Sequence, residues 1–112
     1  MSKFQEALDT YKSEFDKLGI KNIDSDLLTK VTKACGPSIY NPDSSKVASS
    51  DQAELDRLKN NFLIKKLGLA NGSDLDAGIQ SVVDQLGSSN RNKYRAMFYY
   101  LLVKHFKKES SF

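Results

Sequence analysis

The sequence has one cysteine, one histidine, no tryptophan and two prolines among its 112 residues. Cys35 has no second thiol in the chain to pair with, which favours a reducing compartment. His105 alone excludes a metal site built on two histidines of one chain. No apolar run approaches the roughly 20 residues that a membrane-spanning helix needs. The longest, residues 96–103, suits a buried stretch of helix instead. Met1-Ser2-Lys3-Phe4-Gln5-Glu6 is polar from the outset and lacks the apolar core of a secretion signal. Asn71-Gly72-Ser73 matches a glycosylation acceptor in form only; without a secretion signal it reads as a turn followed by a helix cap. A soluble, cytoplasmic protein without a membrane segment is the expectation.

The elements of catalysis are missing too. There is no glycine-rich phosphate loop and no nucleophile elbow. Asp74-Leu75-Asp76-Ala77-Gly78 has the start of a calcium loop. It carries glycine at the fifth position, however, and Gln85 where a bidentate glutamate is needed. Cys35 precedes Gly36-Pro37 at the end of a helix, opposite to the end that lowers a thiol pKa, and reads as structural. His105 lies near a helix C-terminus, where an imidazolium complements the dipole. Nothing here calls for an enzyme, a cofactor or a metal.

What is present is helical periodicity. Apolar residues make up 39% of the chain, and eleven Phe and Tyr argue against general disorder. Phe4, Leu8, Tyr11, Phe15 and Leu18 recur in steps of four and three, one face of a helix capped by Ser2 and stopped at Gly19. A second helix starts at Asp24 or Ser25 and ends at Gly36-Pro37, because the residue before a proline avoids helical geometry. Residues 36–49 are the one long connection, with Asn41-Pro42-Asp43 suited to a short turn and Ile39, Tyr40 and Val47 pinning it down. A third helix follows Ser49 or Ser50, with Gln52 in capping-box register. It carries Leu55, Leu58, Phe62 and Leu67 inward and stops at Gly68. The fourth is capped by Ser73 with Asp76 and runs to Gly87. The fifth spans about residues 90–107 and is apolar around most of its circumference, the mark of a central helix. The sequence predicts one all-α domain of five helices over residues 1–108, arranged as an orthogonal array, with a frayed C-terminal tail at 109–112.

Lys17-Leu18-Gly19-Ile20 and Ser25-Asp26-Leu27 are echoed by Lys66-Leu67-Gly68-Leu69 and Ser73-Asp74-Leu75. Either a helix–turn–helix unit is duplicated, or two helix pairs share the ordinary vocabulary of glycine stops and Ser-Asp starts.

Charge is unevenly placed. Residues 1–56 hold seven Lys/Arg and ten Asp/Glu, a net of −3, while residues 57–112 hold ten and four, a net of +6. On a wheel of 100° per residue, Lys93, Tyr100, Lys104 and Lys107 lie within about 60° of one another and define a basic face for nucleic acid. Arg91 and Arg95 fall in the apolar sector and oppose the dipole of the helix start, so each needs a partner. One solution is a carboxylate of the acidic half. The other is an anion site formed by Ser88, Ser89, Asn90, Arg91 and Arg95.

Gly36-Pro37-Ser38-Ile39-Tyr40-Asn41, Leu63-Ile64-Lys65-Lys66-Leu67-Gly68 and Ser88-Ser89-Asn90-Arg91-Asn92-Lys93-Tyr94-Arg95-Ala96 together resemble a small bacterial family known only as a domain of unknown function. The resemblance runs from about Leu8 to Lys107. It implies a compact helical domain from a bacterium and brings no site residues with it. The function expected is a protein–protein or self-association contact, with an anion or nucleic-acid binder as the alternative.

Overall fold

The step-four, step-three pattern of the first residues is realised as α1, Lys3–Lys17, in the computed structural model, which describes residues 2–41, 44–87, 90 and 93–112. Ser2 caps α1, its hydroxyl accepting the Gln5 N–H at 3.1 Å, and Leu8, Tyr11 and Phe15 are buried. Asp24 caps α2, Ser25–Cys35, by accepting from the Leu27 N–H at 3.1 Å. Past Cys35 the chain tightens into a 3-10 turn, Gly36–Tyr40, with Pro37 in its first turn. The long connection therefore begins as structure rather than loop, since proline fits a helix start. Ile39 and Val47 are buried as expected, but Tyr40 is 48% exposed. Pro42 and Asp43 lie outside the described residues.

The third helix starts at Gln52 with Asp51 as its cap, accepting from Ala53 N–H at 3.0 Å, so neither Ser49 nor Ser50 does the work. Two geometries follow one another in it: α-helix over Gln52–Leu58 (α3) and π-helix over Lys59–Lys66. The wider turn is visible in the exit. Leu18 N–H bonds Glu14 O, four residues back, whereas Leu67 N–H bonds Phe62 O, five back. Gly19 and Gly68 then take the same left-handed conformation, φ 75° and 71°. The two echoing segments share their glycine stop and differ by one residue in the turn before it.

The helix α4, Ser73–Leu86, has extended Gly72 before it and no side-chain cap, so the expected Ser73–Asp76 box is absent. The last long helix, α5, is Arg95–Phe106. It is shorter than predicted because Tyr94 leaves the helix to pair with Lys46 in an isolated antiparallel bridge. Val47 N–H donates to Lys93 O at 2.8 Å, and Arg95 N–H to Ser45 O at 2.7 Å. Backbone bonds thus pin the 44–47 stretch to the start of α5.

α5 is the centre of the fold, in contact with α1, α2 and α4. Ala96, Met97, Phe98, Tyr100, Leu101, Leu102 and Val103 are all buried, which is nearly every direction around its axis. Among the described residues there is no strand, and no helix is long and apolar enough to cross a membrane. The 109–112 segment turns back towards the body. Lys107 takes a left-handed conformation (φ 56°), Glu109–Ser111 forms a 3-10 turn, and Phe112 packs back on the body.

Candidate functional site

Arg95 is the first residue of α5, where a cation opposes the helix dipole, so its guanidinium must be held from elsewhere. Its Nη2 donates to Glu54 Oε1 on α3 at 2.6 Å, Nε to Ser44 O at 2.8 Å and Nη1 to the Tyr99 hydroxyl at 3.1 Å. The second Glu54 oxygen accepts from Arg57 Nη2 at 2.9 Å. The Arg95 and Glu54 side chains are only 17% and 14% exposed, so water competes weakly for the pair. Burial pushes the Glu54 carboxyl up, but the hydrogen bonds from Arg95 and Arg57 outweigh it and leave the group below its ordinary value. Burial likewise raises the Tyr99 phenol, against the lowering effect of Arg95.

A column of rings begins at this cluster. The Arg95 guanidinium lies 5.8 Å from the Tyr99 ring centre, and Tyr99 stacks on Phe62 of the π segment at 3.9 Å and 12°. Phe62 meets Phe112 at 6.3 Å, and Lys66 Nζ sits 5.0 Å from the Phe112 centroid. Beside the column is an open cleft of about 340 Å³ lined by Ala34, Asn61, Phe62, Lys66 and Tyr99. Helix α2, the π segment and α5 each contribute a wall. A floor of stacked aromatics with an amine and an amide at the rim suits an apolar side chain that carries a polar neighbour. Among the described residues Lys66 has no carboxylate within ion-pair distance.

A second depression of about 390 Å³, between α3, the π segment and α4, is lined by Gln52, Leu55, Asp56, Lys59, Asp76, Ile79 and Gln80. Its polar groups largely answer one another: Lys59 pairs with Asp76 at 3.2 Å and Gln52 with Asp56 at 2.9 Å. Cys35 is half-buried, and burial pushes its thiol up to about 12, so it is no nucleophile at neutral pH. No group of three His, Cys, Asp or Glu suited to a metal occurs among the described residues.

Those residues singled out in the sequence that the structure describes are engaged in separate contacts. Ser88, Ser89 and Arg91 lie outside the described residues. Asn90 closes the end of α4, its amide donating to Leu86 O at 2.9 Å, and its carbonyl accepts from Lys93 Nζ. Arg95 is spent on Glu54, the acidic-half partner, rather than aimed at an anion. The basic face breaks up because the helix on which it was drawn starts too late. Lys93 precedes α5 and is 3% exposed, and Tyr100 is 2% exposed with its hydroxyl accepting the Asp24 N–H at 2.9 Å. Only Lys104 and Lys107 are exposed, and Lys104 lies 3.6 Å from Glu109. The cleft itself was not legible: Phe62 and Ala34 read as inward-facing positions, though Ala34 is exposed, and Asn61, Lys66 and Tyr99 carried no signal for a cleft. An Arg95–Tyr99 spacing of four was the one available hint.

The chain belongs to the family described as "Protein of unknown function (DUF2853)", whose model matches residues 10–110. A search of curated proteins gave no match.

Proposed function

We propose that the protein is a non-enzymatic binding module that makes a protein–protein contact through the cleft between α2, the π segment and α5. The observation that carries this reading is the open cleft floored by Tyr99 stacked on Phe62, with Lys66 at the rim. A half-buried ring stacked on a buried one, with an exposed lysine beside it, offers what an interface anchor uses: apolar area, with one charge to set orientation. The net charge of +6 over residues 57–112 favours a partner segment bearing a carboxylate next to its apolar side chain. The π segment supports the same reading, since π turns recur where a helix is shaped for function rather than stability.

The test is a photoreactive phenylalanine analogue at exposed Asn61, introduced into the full chain in its native cells. We expect a discrete cross-linked protein, a second copy included, that is lost when Ala34→Trp fills the cleft. Ala34 is exposed on α2, so that substitution leaves the fold intact. A cross-link unaffected by Ala34→Trp, or none at all, overturns the reading.

A further inference from the structure

Phe112 is seated on two of the five residues that line the cleft, Phe62 and Lys66. Its ring lies 6.3 Å from Phe62 and beneath Lys66, whose Nζ is 5.0 Å from the ring centre. The chain is brought there by a reversal at Lys107 and a short turn. Lys108 N–H donates to Val103 O at 3.0 Å, Ser111 N–H to Lys108 O at 2.9 Å and Phe112 N–H to Glu109 O at 3.2 Å. Little else holds the segment. The Lys104–Glu109 pair is 3.6 Å long and 43% exposed on each side, a geometry that water weakens. Phe112 itself is only half-buried. A ring that satisfies an aromatic–cation rim from the end of a weak latch is an occupant that can leave.

We infer that Phe112 is the chain's own exchangeable occupant of the cleft rim, and that a partner binds by replacing it with an aromatic side chain preceded by a carboxylate. The inference rests on the cleft being the interaction site. The chain's own segment supplies the pattern: Glu109-Ser110-Ser111-Phe112 places an acid three residues before the ring, with its carboxylate 3.6 Å from Lys104 of α5. Because the competitor is tethered, an outside segment meets a rim that is open only part of the time. Its apparent affinity falls by that fraction.

The experiment titrates N-acetyl-Lys-Glu-Ser-Ser-Phe-amide into the ¹⁵N-labelled full chain and follows the amide shifts of Asn61, Phe62, Lys66 and Tyr99. With the rim closed nine-tenths of the time, Phe112→Ala binds the peptide roughly tenfold more tightly than the wild type. Phe112→Leu, which keeps apolar packing without a ring, falls between them. Lys66→Ala in the Phe112→Ala background weakens binding again. Equal affinity in the wild type and Phe112→Ala, with shifts at the cleft, overturns the exchange and leaves the cleft reading standing. Absence of shifts at these four residues in the Phe112→Ala chain overturns the exchange as well. The cross-link at Asn61 is scored separately, so failure of the cleft as an interface shows there.

Discussion

Arg95 ties together Ser44, Glu54 and Tyr99, groups that come from the connection, α3 and α5. Its energetic weight lies in the Glu54 pair, because a charge left alone at this depth costs more than the pair contributes. The depressed Glu54 carboxyl makes that weight depend on pH. A carboxyl whose folded pKa is lowered adds stability above its unfolded value, 4.5, and the addition is lost as pH falls through the folded value. Glu54→Gln is therefore expected to cost about 2 kcal/mol near neutral pH, with the gap from the wild type narrowing once the pH is taken below 4.5. Urea unfolding at neutral pH and below pH 4.5 checks this. A gap that stays constant with pH would show that Arg95 gains its holding from Ser44 and Tyr99 instead. The need for such a partner was legible in the sequence, from a cation in an apolar sector at a helix start. Which carboxylate answers it was not, since 41 residues separate Glu54 and Arg95 and only the fold brings them together.

At the scale of elements, Gly78 of α4 is the glycine most tightly covered by a neighbouring helix. A methyl group there would stand 2.8 Å from Phe106 Cε2 and 3.1 Å from His105 Cδ2, at the end of α5. In an isolated helix Gly→Ala gains about 1 kcal/mol, while overpacking costs about 1–3 kcal/mol. Gly78→Ala should thus lower stability by about 1 kcal/mol net, and the same change in a Phe106→Ala background should raise it. Paired thermal melts decide between the two signs. The number of helices, their order and their glycine stops were legible because apolar spacing and left-handed turns are local properties. The π segment left a trace as well: Leu55, Leu58, Phe62 and Leu67 step by three, four and then five, and the five is the wide turn. The start of α5 was not legible, because Tyr94 is drawn out of the helix by Lys46, a residue 48 positions away.

For the molecule as a whole, the decisive arrangement is one helix surrounded by the others. Native-state hydrogen exchange should find the slowest amides in residues 98–103 of α5, opening only with global unfolding. Those of α1, which offers Leu8, Tyr11 and Phe15 to the core from one face, should exchange by smaller openings. Comparable protection in the two helices would contradict the central role of α5. The candidate site belongs to this scale too. Ala34, Phe62, Lys66 and Tyr99 come from three elements that meet only in the folded molecule, which is why no motif announced the cleft.

The position of the central helix in the chain has a consequence for synthesis. Ribosomes deliver α1 to α4 first, and domains generally fold as units once their parts have emerged. Leu28, Val31, Val82 and Leu86, all fully buried at the end, have no α5 to close over them until residue 106 has left the exit tunnel. The nascent chain must carry those side chains uncovered until the last long helix emerges, and the core closes late.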